Sequence, residues 1–80
     1  MKSYNNVSMV LLKEKMRFCF PCREDLMHFE DEARKILSAK AGIYTRISDY
    51  PKKFFYVSLL HTSTEEIGEL VELAHKIVNE

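Results

Sequence analysis

Twice along this chain, a segment with apolar residues at every second position is followed by a segment with apolar residues at helical spacing. No other feature of the sequence constrains the fold as strongly. Apolar residues at every second position are typical of a strand, and apolar residues at every third or fourth position are typical of a helix. Met16, Phe18 and Phe20 show the first spacing. The helical stripe that follows consists of Leu26, Phe29, Ala33, Ile36 and Leu37. The second half of the chain repeats this order with different residues.

The first half is predicted to contain two strands before its helix. Val7–Leu12 has the length and composition of a strand, and the charged residues Lys13–Lys15 separate it from the alternating segment. The two segments form either a tight hairpin or one long strand with a charged kink. Because two-residue hairpin loops favour Asn and Gly, we expect two strands with an irregular connection. Pro21 ends the second strand. The helix is expected from about Arg23 to Lys40, with Gly42 as its C-terminal stop.

The second half is predicted to be a hairpin followed by a helix. Ile43, Thr45 and Ile47 alternate with other residues as in a strand, and residues 54–60 are aromatic and β-branched enough to form its partner. A capping box, in which a hydroxyl residue precedes a glutamate by three positions, begins the helix. Two pairs fit this pattern, Thr62 with Glu65 and Ser63 with Glu66. The buried stripe of the helix is predicted to be Ile67, Leu70, Val71, Ala74, Ile77 and Val78.

The resulting order, β(β)αββα, predicts an α+β fold. Two amphipathic helices bury their apolar faces most simply when both lie on one face of a small antiparallel sheet of three to four strands. We therefore expect a relative of the ferredoxin-like fold, formed as a single domain by residues 1–80, with residues 1–6 frayed. A chain of 80 residues buries only roughly 60–65% of the surface that its unfolded form exposes. A second copy is thus expected to complete the thin core.

One stretch of the chain is similar to a known family. Gly42–Val78, with Tyr56–Leu59 followed by Thr64–Ile67, resembles the small C-terminal domain of the pyridoxal-phosphate aminotransferases. The resemblance covers less than half of the chain and implies the strand–helix topology alone, because the domain that carries the cofactor lysine cannot fit in 80 residues. No cofactor is predicted.

The balance of positive and negative charges indicates which class of partner to expect. Lysine plus arginine and aspartate plus glutamate each number 12, so the formal net charge is zero. Nucleic-acid-binding domains are usually basic overall, whereas zero net charge makes self-association easier. No apolar run approaches the roughly 20 residues that span a bilayer, and the polar N-terminus lacks the features of a secretory signal. We expect a cytoplasmic protein with no membrane partner.

Cys19 and Cys22 form the one motif with chemical content. A C-x-x-C between a strand and a helix is where thioredoxin-like proteins keep their redox pair. A thiolate at the start of a helix is stabilised by free backbone N–H groups, and Cys22 is predicted to lie there. In thioredoxin-like motifs the first cysteine begins the helix, whereas Cys19 falls within a strand. The alternative is that both are packing residues. The spacing supplies only half of a zinc site, so no metal site is predicted.

The second candidate site is a face of the sheet. If Ile43, Ile47 and the alternating apolar residues of the other strands lie under the helices, the opposite face carries aromatic and arginine side chains. The binding candidates on that face are Arg17, Tyr44, Arg46, Phe54 and Tyr56. Such a face resembles the stacking platforms that hold single-stranded nucleic acid. Tyr, Phe and Arg are also enriched in protein interfaces.

These patterns favour a non-enzymatic binding module. With only two glycines the chain has no glycine-rich phosphate loop, and no set of catalytic side chains is apparent. The leading hypothesis is a regulatory module that forms a homodimer and contacts another protein through its open sheet face. The first alternative is a small thiol protein that uses Cys19 and Cys22 for redox chemistry or sulfur transfer. The second is a single-stranded nucleic-acid-binding protein.

Overall fold

One antiparallel sheet of four strands carries both helices on the same face. The computed structural model describes residues 7–37, 43–49 and 53–79. The elements are β1 (Ser8–Leu11), β2 (Lys15–Cys19), α1 (Arg23–Ile36), β3 (Tyr44–Ile47), β4 (Phe54–Ser58) and α2 (Thr64–Val78). The strand order is β1-β2-β4-β3 and every neighbouring pair is antiparallel. The predicted α+β class is confirmed, with four strands. None of the helices within these ranges combines the length and apolar character needed to cross a membrane.

The topology is compatible with the ferredoxin-like arrangement but not identical to it. Strand β4 lies between β2 and β3, so that the segment β2-α1-β3-β4-α2 matches the first five elements of a β-α-β-β-α-β chain. In that chain the sixth element is a strand that follows the second helix. Here the outer place beside β2 belongs to β1, which precedes β2 in the sequence.

Aromatic rings fill the core between the sheet and the helices. Phe29 of α1 is fully buried, and its ring centroid lies 5.0 Å from that of Phe18 and 4.9 Å from those of Phe20 and Phe55. Such contacts contribute about 0.5–1.5 kcal/mol each beyond the burial of area. Leu70, Ala74, Ile77 and Val78 of α2 complete the core, and the two helices contact each other.

A tight hairpin joins β1 to β2. The backbone N–H of Leu12 donates to the carbonyl oxygen of Lys15 at 2.8 Å, so that only Lys13 and Glu14 form the loop. The expectation of an irregular connection was therefore wrong. The ladder of four residue pairs, together with the packing of Val7 and Met9 against the core, fixes the register in spite of the unfavourable loop residues.

The helix ends agree only in part with the sequence prediction. Helix α1 begins at Arg23 as expected but ends at Ile36, before the predicted Lys40. Gly42, its predicted stop, and the predicted frayed residues 1–6 lie outside the described residues. Helix α2 uses the second of the two possible capping boxes. Ser63 Oγ accepts from the N–H of Glu66 at 3.1 Å, and Glu66 Oε1 accepts from the N–H of Ser63 at 2.8 Å.

Candidate binding surface on the open sheet face

The pleat of the two central strands separates core residues from residues of the opposite face. Met16 and Phe18 of β2 and Phe55 and Val57 of β4 are buried against the helices, so their neighbours along each strand point the other way. We call this second surface the open face. It consists of Ser8, Val10, Lys15, Arg17, Cys19, Thr45, Ile47, Phe54, Tyr56 and Ser58.

The register of the strands arranges the open face in rows across the sheet. Arg17 lies directly opposite Tyr56, with Val10 of β1 beyond Arg17 and Thr45 of β3 beyond Tyr56. The neighbouring row pairs Cys19 with Phe54 in the same way. The aromatic and basic side chains therefore occupy the two central strands, and small or aliphatic side chains flank them on the outer strands.

Four side chains form a connected patch at the centre of this surface. The guanidinium carbon of Arg17 lies 4.9 Å from the ring centroid of Phe54, and Lys15 Nζ lies 5.8 Å from that of Tyr56. The two rings meet edge to face, with centroids 6.0 Å apart. We call Lys15, Arg17, Phe54 and Tyr56 the aromatic–basic patch. Cation–π and ring–ring contacts of this kind favour the arrangement in which the side chains lie together.

The open face is positively charged although the chain is neutral. Lys15 and Arg17 are its two charged residues among the described part of the chain, and it carries no aspartate or glutamate there. Arg17 Nε is buried and has no hydrogen-bond partner among the described residues. A buried donor without an acceptor is costly for folding.

Two of the predicted binding residues lie on the other face. Tyr44 is paired with Val57 and Arg46 with Phe55, which places both on the helix side of β3. The prediction that Tyr44 and Arg46 belong to the open face was therefore wrong. Ile43 is buried just before the strand begins, and its carbonyl oxygen accepts from the N–H of Ser58. The alternation predicted through Ile43 is thus shifted by one residue, and a shift of one residue exchanges the faces.

On the helix side, Tyr44 and Arg46 join β3 to α1. Arg46 Nη1 donates to Glu30 Oε1 at 2.8 Å and also contacts Met27. The Tyr44 ring stacks on Phe55, with centroids 4.9 Å apart. Burial raises the pKa of Tyr44, and the Glu30 carboxylate raises it further. The ion pair spans 16 positions of sequence, so no local pattern could have indicated it.

The two cysteines occupy different surroundings. Cys19 is half-buried on the open face, whereas Cys22 is the N-cap residue of α1, and both thiols are free. Burial raises the pKa of the Cys22 thiol, and the Asp25 and Glu24 carboxylates add to the effect, although the backbone N–H of Asp25 opposes it. Its position at a helix start therefore does not lower the pKa of the Cys22 thiol. Among the described residues, no three His, Cys, Asp or Glu side chains are close enough to hold a metal ion.

A hydroxyl–imidazole contact lies at the margin of the open face. Ser58 Oγ is 3.0 Å from His61 Nδ1. Ser63, two positions after His61 in the sequence, caps α2 and takes no part in this contact. The described residues give His61 no hydrogen bond to a carboxylate, so this pair lacks the third group that orients the histidine of a catalytic triad. It adds a polar edge to the surface beside Lys15, the residue opposite Ser58.

Comparisons of the chain with protein-family models, with curated proteins and with solved structures find no match.

Proposed function

We propose that this protein is a non-enzymatic binding module that holds single-stranded nucleic acid on its open face. The observation that carries the proposal is the aromatic–basic patch, in which two rings and two cations share the central strands, while the described part of the open face carries no aspartate or glutamate. Bases stack on aromatic rings and on arginine guanidinium planes, and lysine neutralises phosphates. A cytoplasmic location, where Cys19 and Cys22 stay reduced, is part of the proposal.

Charge favours a polyanion over a second copy of the chain on this face. Face-to-face dimerisation would bring Lys15 and Arg17 of one copy towards Lys15 and Arg17 of the other, and like charges without an acidic partner oppose association. A polyanion encounters the same two cations favourably. The zero net charge of the whole chain implies that the attraction is local, so affinity is expected to be moderate and to come largely from stacking.

The thiol alternative gains no comparable support. A reactive cysteine needs a stabilised thiolate, whereas burial and the carboxylates of Asp25 and Glu24 act in the opposite direction on Cys22. Cys19 lies within β2, opposite Phe54, and is not at a helix start.

The salt dependence of binding provides a quantitative test. For single strands the logarithm of the association constant falls with the logarithm of the salt concentration with a slope of about −0.7 per neutralised phosphate. Two cations on the patch therefore predict a slope of roughly −1.4 for labelled oligo(dT) or oligo(rU), measured by fluorescence anisotropy. Arg17→Gln is expected to reduce the magnitude of this slope by about 0.7. Tyr56→Ala should weaken binding by about 1–3 kcal/mol and leave the slope unchanged.

Arg46→Gln is the matched control, because it removes an arginine from the helix side of the same sheet. This variant should keep the wild-type slope once circular dichroism shows that it is folded. Absence of saturable binding at low salt would overturn the proposal. Equal effects of Arg17→Gln and Arg46→Gln would also overturn it, because the open face would then have no special role.

A further inference from the structure

Among the described residues, no strand pairs with the outer edge of β1, and this edge is apolar. The strand pairs with β2 on one side only, and it is the first strand in the order β1-β2-β4-β3. The apolar residues at the end of β1 and directly after it are unusually exposed. Val10 is 38% exposed, Leu11 71% and Leu12 40%. A free edge with apolar side chains is a template for another strand unless charge, proline or a bulge protects it. Ser8–Leu11 contains neither a charge nor a proline.

The hairpin bond determines which backbone groups of β1 are free. Leu12 donates to Lys15, so this pair is hydrogen-bonded, and hydrogen-bonded pairs alternate along an antiparallel ladder. Val10 and Ser8 therefore exchange bonds with β2, whereas the N–H and C=O groups of Met9 and Leu11 point outwards from the sheet. These two residues provide the donors and acceptors of the free edge.

We infer that two copies of this chain form a dimer by pairing β1 with β1 in antiparallel orientation, about a two-fold axis at Val10. In this register Met9 of each copy exchanges hydrogen bonds with Leu11 of the other, and Val10 faces Val10. The exposed Leu11 then contacts Met9 of the second copy on the helix side. Leu12 lies beside Ser8 of the second copy on the open side. The two sheets become one sheet of eight strands.

The distribution of charge favours a second copy as the occupant of this edge. The paired segments are uncharged, so no like charges meet along the ladder. The antiparallel register puts Lys13 and Glu14 of the two copies at opposite ends of the joined strands. The two Arg17 side chains are separated by three strand spacings, or about 14 Å, which exceeds the screening length of about 8 Å at physiological salt. The zero net charge of the chain adds no long-range repulsion.

Substitution of Val10 tests the register directly. Val10→Lys and Val10→Glu each place like charges opposite each other at the two-fold axis, which is destabilising in a sheet. Sedimentation at high micromolar concentration is expected to show twice the 9.4 kDa chain mass for the wild type and a single chain for each variant. An equimolar mixture of the two variants should form the dimer again. A monomeric wild type, or dimers of both single variants, would overturn the inference.

A cross-link provides a second measurement that does not depend on charge. In a background with Cys19→Ser and Cys22→Ser, Val10→Cys should oxidise readily to a disulfide-linked dimer, because facing residues of a non-hydrogen-bonded pair have Cα atoms about 4.5 Å apart. Leu11→Cys is the matched control, since Leu11 faces Met9 and its own counterpart is out of disulfide reach. Equal cross-linking of the two variants would contradict the register. Efficient cross-linking of Val10→Cys alone would support it, whether or not nucleic acid binds the open face.

Discussion

Replacing Arg17 with methionine is expected to stabilise the fold while it weakens binding to the open face. Arg17 Nε is buried without an acceptor among the described residues, and the guanidinium carbon lies 4.9 Å from the Phe54 centroid. Methionine keeps an unbranched stem that packs in the same place and removes the buried donor. The substitution therefore separates what the domain needs for stability from what the proposed ligand needs.

The magnitude follows from two opposing contributions. Leaving a buried donor unsatisfied costs about 1–3 kcal/mol, and Arg17→Met removes that cost. The cation–π contact with Phe54 is lost, and at a partly exposed site it contributes about 0.5–1 kcal/mol. The net expectation is an increase of roughly 1 kcal/mol in the free energy of unfolding. For a domain of this size that increase corresponds to about 4–8 °C in Tm.

Urea denaturation measures this change as a shift of the midpoint with an unchanged slope. Lys15→Met is the control, because Lys15 is exposed and also lies over a ring but has no buried donor without a partner; its effect should stay within about 0.5 kcal/mol. A clear loss of stability in Arg17→Met, with Lys15→Met unchanged, would refute the reasoning. The guanidinium would then be required by the fold, and its presence would need no ligand to explain it.

Two further predictions concern Cys22 and Gly68. Burial and the nearby carboxylates raise the pKa of the Cys22 thiol. Its alkylation by iodoacetamide at neutral pH should therefore be slower than that of a cysteine in an unstructured peptide. An equal or faster rate would contradict the raised pKa. The raised pKa contributes stability that is fully present below the pKa of the unfolded thiol and is lost as the pH rises through the folded pKa. Gly68 is exposed in α2, and an added Cβ would meet nothing within 4 Å, so Gly68→Ala should raise the free energy of unfolding by about 0.5–1 kcal/mol. An unchanged urea midpoint would argue against that value.

The elements that depend on local patterns were predictable from the sequence. The stripes of α1 and α2 and the alternation of β2 follow from the spacing of buried residues, so their existence and their buried faces were correctly predicted. The capping-box pattern reduced the start of α2 to two alternatives. The exact end of α1 was harder to predict, because its stripe of apolar residues ends near Leu37 and the sequence gives no sharp signal beyond that residue.

The face of β3 was not predictable, because both possible alternations contain apolar residues. Ile43, Thr45 and Ile47 form one set, and Tyr44 and Arg46 the other, so hydrophobicity alone favours the wrong set. On the observed face, Arg46 donates to Glu30 of α1 and Tyr44 stacks on Phe55, and both contacts join residues far apart in the sequence. As a result the candidate surface includes Arg17, Phe54 and Tyr56 as predicted, and it loses Tyr44 and Arg46. Lys15 enters the patch through its contact with Tyr56.

The position of the aromatic–basic patch on β2 and β4 bears on how the domain opens locally. Both strands are hydrogen-bonded on two sides, whereas β1 and β3 are bonded on one side within the described part of a single chain. Local opening therefore requires less free energy at β1 and β3, and their outward amides should exchange with solvent first. Lys15, Arg17, Phe54 and Tyr56 lie on the two central strands, so we expect them to keep their positions while these edges fray. The ligand proposed for the open face would then meet a surface that is already formed, and binding would not have to order a loop at a cost in entropy.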